Sequence, residues 1–210
     1  MLEKYKEPGQ KYIAYYANYF KNWNPNSLTL MAFMFCVMVF ISLLLARYYS
    51  FYFLFFTSFF SLMAGFFDLM DGAVARLRKI VSKKGDLLDH VLDRYGDMII
   101  LTGFAMSGFV NFYLVIISMI GILLTSYMGT QAQAVGFNRL YSGLVGRADR
   151  LLIFIIFPFF QMIMLIPLFP YHYFMLYSYK ITLLDIAFLY LAIASHYTAL
   201  ERFYILWKQL

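Results

Sequence analysis

Residues 67–94 read FDLMDGAVARLRKIVSKKGDLLDHVLDR. Four aspartates in this stretch, Asp68, Asp71, Asp89 and Asp93, recur at helical spacing on either side of a basic segment. Inside a membrane-embedded helix a carboxylate is costly unless it is paired or binds a metal. We therefore expect these four side chains to form one site that holds divalent cations.

The composition places this stretch in a membrane protein. The chain has 210 residues, of which 63% are hydrophobic and 13% charged, whereas a soluble domain carries about 25% charged residues. A chain of 210 residues is too short to bury this amount of apolar surface in its own core. A large part of the apolar surface must therefore face lipid. The sequence predicts an integral membrane protein, with membrane lipid rather than nucleic acid among its partners.

Apolar stretches long enough to cross a bilayer, about 20 residues each, divide the chain. They cover residues 27–46, 50–77, 87–109, 112–135, 151–168 and 183–206. The predicted fold class is all-α, with six transmembrane helices in one domain over residues 25–210. The aspartates fall near the facing ends of the second and third spans.

The segment before the first span has a different pattern. Residues 11–23, KYIAYYANYFKNW, place aromatic side chains at helical spacing with lysines between them. Such a pattern is typical of a helix lying at the membrane interface, so residues 1–24 are predicted to form an interfacial amphipathic helix. Asn26 or Ser27 is the expected N-cap of the first span.

The distribution of basic residues predicts the orientation. Placing the N-terminus in the cytoplasm puts 14 of the 17 lysines and arginines inside, leaves Arg47 and Lys180 outside, and puts Arg94 within a helix. This asymmetry satisfies the positive-inside rule. Both termini and the aspartates are therefore expected on the cytoplasmic side of the cell membrane, within reach of water-soluble nucleotides.

The side chains around the aspartates suit a phosphate-bearing ligand. Gly72 and Ala75 share the carboxylate face of the second span and leave room for a large ligand, while Arg76 offers a cation to a phosphate oxygen. Gly85 is expected to permit a turn before the third span. Carboxylate ligands favour Mg²⁺ or Mn²⁺ over Zn²⁺, and two ions would fit.

These residues make up a longer pattern, Asp68-x2-Asp71-Gly72-x2-Ala75-Arg76-x8-Gly85-x3-Asp89-x3-Asp93. The pattern resembles the complete signature of the CDP-alcohol phosphatidyltransferase family. The resemblance implies magnesium-dependent transfer of a phosphatidyl-type group from a CDP-linked lipid to an alcohol, with release of CMP. It also implies a homodimer.

The resemblance assigns roles within the pattern. Asp68, Asp71 and Asp89 would bind the metal ions, and Asp93 would lie close to them and act as the general base on the acceptor hydroxyl. The CDP-lipid site would be formed by Asp68 and Asp71 together with four further residues, Gly72, Ala75, Arg76 and Gly85. In residues 25–29, PNSLT, which resemble an element common in these enzymes, Asn26 or Thr29 could contact the nucleotide or simply cap the helix.

The acceptor is expected to bind the second half of the chain. Arg147 and Arg150 resemble a pair that holds the acceptor phosphate in relatives using a phosphorylated polyol, such as inositol phosphate or glycerol phosphate; the alternative is a purely topological role. Relatives that use inositol phosphate carry further basic residues where this chain has Gly129, Thr130 and Gln131. Either Arg139 compensates for them, or the acceptor is smaller.

Several alternatives remain open on the sequence alone. The acceptor could be an uncharged or zwitterionic alcohol such as serine, ethanolamine or choline. The lipid donor could be CDP-diacylglycerol, or CDP-archaeol as in the archaeal members that this chain resembles. A divalent-cation transporter would need ionisable residues across the whole bilayer, which the fourth and sixth spans scarcely provide.

Overall fold

The computed structural model describes residues 6–138, 140–166, 174–176 and 179–210. Within these ranges the chain forms seven α-helices and one antiparallel pair of short strands. The helices are α1 (Lys6–Tyr19), α2 (Pro25–Tyr48), α3 (Phe53–Leu77), α4 (Lys83–Ser107), α5 (Phe112–Ala134), α6 (Arg147–Leu165) and α7 (Leu183–Gln209), and the strands are β1 (Phe174–Leu176) and β2 (Tyr179–Ile181). The predicted helical fold is confirmed, with this pair of short strands before α7 as an addition.

Five of these helices, α2, α3, α5, α6 and α7, are long and apolar enough to cross a membrane. Many large apolar side chains point away from the bundle, such as Ile193 and Leu200, whose exposed fractions are 65% and 67%. The chain is therefore an integral membrane protein. Helix α4 does not reach the same apolarity in the described chain, because acidic and basic residues occupy its first half.

The helix starts differ from the sequence prediction at two points. Asn24, rather than Asn26 or Ser27, caps α2, because its side chain accepts a hydrogen bond from the backbone N–H of Asn26. Helix α4 begins at Lys83, where Ser82 is the N-cap and accepts a hydrogen bond from the Gly85 N–H at 3.1 Å. Gly85 therefore lies within the first helical turn of α4. The prediction of a chain turn at this residue before the helix is wrong.

The connection before α4 turns instead at Lys79, whose φ of 55° is in the left-handed region. It joins the end of α3 to the start of α4, and both helices pack against α2. The short connection and the shared contact with α2 bring the two acidic pairs predicted from the sequence to the same end of the bundle.

Three aromatic side chains pack together inside a largely aliphatic core. Phe104 of α4 packs against Phe154 of α6 and Phe188 of α7, with ring centroids 5.5 Å and 5.0 Å apart respectively. All three side chains are almost completely buried. The apolar second half of α4 is thus fixed against two spanning helices, while its charged first half extends toward one end of the bundle.

Helices α2 and α4 approach each other closely at Gly103. A Cβ atom on this glycine would lie 2.9 Å from Leu43 Cδ1 and 3.1 Å from the Cα atom of Phe40. The second contact is with backbone, which cannot rotate away. Small residues at such crossings let membrane helices pack tightly, and here the packing sets the depth of α4 beside α2.

We predict that Gly103→Ala destabilises the fold by about 1–3 kcal/mol through overpacking. Thermal unfolding of the purified protein in detergent would report a lower midpoint. The control is Thr102→Ala at the neighbouring exposed position, which should leave the midpoint nearly unchanged. Equal stability of Gly103→Ala and the parent protein would contradict the close α2–α4 contact.

Candidate metal and nucleotide site

Four helix ends meet at one end of the bundle: the starts of α2, α4 and α6 and the end of α3. Asp68 and Asp71 lie in the last turns of α3, and Asp89 and Asp93 in the first turns of α4. The opposite end of the bundle is closed separately, for example by the Asn111 N–H donating to Asp185 Oδ1 at 2.6 Å. The predicted acidic residues therefore share one end of the molecule.

Three of the four predicted carboxylates form a compact cluster. One oxygen from each of Asp68, Asp71 and Asp89 lies within 4.8 Å of the others. Asp93 lies outside this triad, and a single arginine, Arg147, joins it to Asp68. The structure thus brings all four together, with three placed to share a cation and the fourth beside them.

The triad has the chemistry that a hard divalent cation requires. Asp89 Oδ1 is buried and has no hydrogen-bond partner within the described chain, and Asp71 is 7% exposed. Buried anionic oxygens without a donor are unfavourable unless a cation lies beside them. Because the available ligands are all carboxylate oxygens, the cluster fits Mg²⁺ or Mn²⁺.

Thr29 holds one of these carboxylates in place. Its hydroxyl, on the first turns of α2, donates to Asp71 Oδ2 at 2.7 Å and is buried. The hydroxyl also approaches the Pro25 carbonyl oxygen at 3.1 Å. On the sequence alone Thr29 is a candidate nucleotide contact or helix cap, and its hydrogen bond to Asp71 is not predicted.

The two arginines expected to hold an acceptor phosphate bind carboxylates in the structure. Arg147 Nη2 donates to Asp68 Oδ1 at 2.7 Å, and its Nη1 donates to Asp93 Oδ2. Arg150 Nη2 donates to Asp97 Oδ2 at 2.8 Å, and the Arg150 side chain is only 4% exposed. Arg139, the third residue expected at the acceptor, lies outside the described residues.

Asp97 is a charged residue of this region that sequence reasoning missed. Its Oδ2 also forms an ion pair with Arg94 Nη1 at 3.2 Å, so Asp97 lies between two arginines. Asp89, Asp93 and Asp97 follow one another at four-residue spacing on α4. That continued spacing placed Asp97 on the same face of the helix and could have identified it.

A cavity of about 540 Å³ opens beside the triad. It is bounded by the start of α2, the end of α3 and the start of α4. The lining includes five of the six residues predicted for the CDP-lipid, Asp71, Gly72, Ala75, Arg76 and Gly85, together with the predicted metal ligand Asp89 and with Asn24, Asn26 and Thr29. The predicted CDP-lipid residues other than Asp68 thus surround one space, large enough for a nucleotide-sized ligand.

A second, smaller cavity of about 240 Å³ lies between α4 and α5. Its lining residues are His90, Asp93, Arg94, Leu123, Ser126, Tyr127 and Thr130. It therefore combines one carboxylate, one arginine and several hydroxyl groups. Asp93 lines this cavity, whereas Asp71 and Asp89 line the larger one.

Curated relatives share part of this sequence. The chain is 35% identical over 99 residues to the archaetidylinositol phosphate synthase of Pyrococcus horikoshii, covering 47% of this chain and 53% of that protein. It is 29% identical over 155 residues to the archaetidylinositol phosphate synthase of Methanothermobacter thermautotrophicus, covering 70% of this chain and 67% of that protein. The chain thus spans about half to two thirds of the length of these relatives.

Solved structures share the fold. The phosphatidylinositol phosphate synthase of Mycobacterium tuberculosis with CDP-DAG bound superposes with a TM-score of 0.72 and 22% identity, covering 93% of both chains. The same protein in complex with manganese and citrate gives a TM-score of 0.69 and 20% identity, covering 93% of this chain and 88% of that one. At these identities the comparison establishes the arrangement of helices.

The family profile described as CDP-alcohol phosphatidyltransferase matches residues 22–194. This match covers most of the chain, from just before α2 into α7, and includes every aspartate of the cluster. The predicted resemblance is therefore confirmed, and the chain belongs to the CDP-alcohol phosphatidyltransferase family.

Proposed function

We propose that this protein transfers a phosphatidyl-type group from a CDP-linked lipid to a hydroxyl of a phosphorylated polyol, releasing CMP. The observation that carries the proposal is the triad Asp68, Asp71 and Asp89, of which Asp71 and Asp89 line the larger cavity. Family membership and the relatives' names support the reaction class and the phosphorylated acceptor. Inositol phosphate and glycerol phosphate are the acceptors to test.

The larger cavity is assigned to the CDP group. Asp68, Asp71 and Asp89 would hold Mg²⁺ or Mn²⁺, two ions in our proposal, and these would neutralise the pyrophosphate and the departing CMP. Arg76 lines the cavity and offers a further positive charge to a phosphate oxygen. Thr29 keeps the Asp71 carboxylate aimed at the cation site.

The smaller cavity is assigned to the acceptor. Asp93 lines it and is the candidate general base, so an acceptor hydroxyl there can pass its proton to the carboxylate as its oxygen bonds to phosphorus. Ser126, Tyr127 and Thr130 line the same space and offer hydroxyl groups to a polyol. Arg147 remains our candidate ligand for the acceptor phosphate, and buried Arg150 holds α6 in place through Asp97.

The membrane arrangement extends the same proposal. We infer six spans, α2 to α7, because α4 lies between α3 and α5 in the chain and its apolar half is buried in the core. Helix α1, with four exposed tyrosines, would lie at the cytoplasmic interface as a segment of residues 1–24 preceding the domain of residues 25–210. The active site would face the cytoplasm of the cell, with CDP-diacylglycerol or CDP-archaeol entering from the bilayer, and two copies would form a dimer.

We predict that purified protein with Mg²⁺ or Mn²⁺ releases CMP from a CDP-lipid when a polyol phosphate is added. Mass spectrometry of the lipid product, with inositol phosphate, glycerol phosphate, inositol and serine supplied in parallel, identifies the acceptor. Asp93→Asn should lower the rate at least about 100-fold, because a positioned base contributes roughly 10²–10⁴, while Mn²⁺ still binds. The control is Glu201→Gln on α7, which should keep the parent rate.

Three outcomes would contradict this proposal. One is full activity of Asp93→Asn, which would exclude that carboxylate as the base. Another is product formation with serine or inositol but with neither phosphate ester. The last is CMP release that survives removal of divalent cations by a chelator.

Gly72 tests the assignment of the larger cavity. A Cβ atom there would meet only the flexible Arg76 side chain, at 3.2 Å from its Nη1, so the fold does not require this glycine. We predict that Gly72→Leu keeps its unfolding midpoint and its Mn²⁺ affinity but raises the KM for the CDP-lipid about tenfold, because the leucine fills space needed by the ligand. An unchanged KM for the CDP-lipid would show that the nucleotide binds outside the larger cavity.

A further inference from the structure

Arg147 contacts two carboxylates that have different roles in the proposed reaction. Asp68, on α3, belongs to the triad for the divalent cation, and Asp93, on α4, is the candidate base. One guanidinium donates to both. While Arg147 is bound, Asp93 pairs with the guanidinium and is not available to accept a proton from an acceptor hydroxyl. The same guanidinium competes with a divalent cation for Asp68.

The two arginines at the start of α6 differ in how firmly they are held. Arg150 is 4% exposed and bound to Asp97, whereas the side chain of Arg147 is 40% exposed. The carboxylates that Arg147 binds, Asp68 and Asp93, are 20% and 11% exposed. The Arg147 guanidinium is therefore the solvent-accessible member of its ion pairs, whereas both members of the Arg150–Asp97 pair are largely buried. Arg150 thus anchors the helix, and Arg147 is the arginine that an incoming anion can reach.

We propose that Arg147 determines specificity by holding Asp93 and Asp68 until a phosphorylated acceptor draws it away. A phosphate ester offers the guanidinium one bidentate partner whose charge, about −1.5 to −2, matches that of the two separate carboxylates that it replaces. Its departure leaves Asp93 able to accept the proton of the hydroxyl on that same acceptor. This role rests on the proposed function and concerns which nucleophile is admitted.

The side reaction that Arg147 suppresses is hydrolysis. With water as nucleophile, a bond forms between the water oxygen and the lipid-side phosphorus, the bond from that phosphorus to the CMP oxygen breaks, and CMP leaves with the electron pair. Asp93 takes the water proton, so the products are a lipid phosphate and CMP. With a polyol phosphate the same bonds form and break, but the hydroxyl oxygen of the polyol replaces water.

The first test is Mn²⁺ affinity, which does not require turnover. Arg147→Gln removes a positive charge beside Asp68, so it should bind Mn²⁺ at least about fivefold more tightly than the parent protein, a typical coupling between linked sites. Electron paramagnetic resonance of free Mn²⁺ measures this directly. Arg47→Gln is the matched control, because Arg47 donates to the Met106 carbonyl at the other end of the bundle, and it should leave the affinity unchanged.

The unmodified protein provides a second measurement that does not depend on a variant folding. Inorganic phosphate, as a probe for the acceptor phosphate, should tighten Mn²⁺ binding to the parent protein. The same addition should have no effect on Arg147→Gln. Phosphate that leaves the parent affinity unchanged, or a variant affinity equal to or weaker than that of the parent, would overturn the proposal.

The third readout is the nucleophile used. Arg147→Gln should release CMP without any phosphorylated acceptor at least about fivefold faster than the parent protein, and should lose most of its stimulation by a polyol phosphate. Acceptor-independent release at or below the parent rate, in a variant that still binds Mn²⁺, would overturn the specificity role. Failure of the parent protein with every acceptor would instead reject the proposed function, while the Mn²⁺ comparison would still test Arg147.

Discussion

Repulsion among carboxylates is the constraint on which this structure depends. Oxygens of Asp68, Asp71 and Asp89 lie within 4.8 Å of one another, a separation at which two unit charges repel by roughly 3 kcal/mol near a protein surface. Such an arrangement does not stabilise an apolar helix bundle. The helix packing that holds it, with Gly103 closing α2 against α4 and the Phe104 cluster fixing α4 in the core, therefore maintains a site whose natural partner is a cation.

The compensating positive charge comes from arginines that differ in exposure. Asp97 binds buried Arg150, which ties the start of α6 to α4, and Arg94, which lines the smaller cavity. The more exposed Arg147 binds both Asp68 and Asp93. Removing one partner from a buried pair is strongly destabilising, whereas ion pairs weaken as their members become exposed. The Arg150–Asp97 pair therefore suits a positioning role, and Arg147 a role in ligand exchange.

Much of the site could be predicted because its information is local. Helical spacing alone places Asp68 with Asp71, and Asp89 with Asp93, and the short loop between the helices places the two pairs at the same end of the bundle. The cavity lined by Gly72, Ala75 and Arg76 follows from the same face of α3. The order of the apolar helices likewise follows from composition, because each span is a continuous apolar stretch; the predicted third span is the exception, since charged residues occupy the first half of α4.

What could not be predicted depends on contacts distant in the chain. Thr29 meets Asp71 across 42 positions, and Arg147 meets Asp68 across 79, and no periodicity reports such pairs. The start of α4 was misplaced because an apolar window ignores the cap at Ser82, which extends the helix through charged residues. The partners of Arg147 and Arg150 were missed for a related reason: positive-inside counting explains their presence without naming the carboxylates that they bind.

The most direct test of this account is the location of manganese in crystals of the protein. Anomalous diffraction at the manganese absorption edge would locate any bound ion without assumptions about activity. The account predicts a peak coordinated by carboxylate oxygens of Asp68, Asp71 and Asp89, at the wall of the larger cavity. A peak bound elsewhere, or none at Mn²⁺ concentrations that saturate binding in solution, would contradict the claim that these carboxylates are held together for a divalent cation.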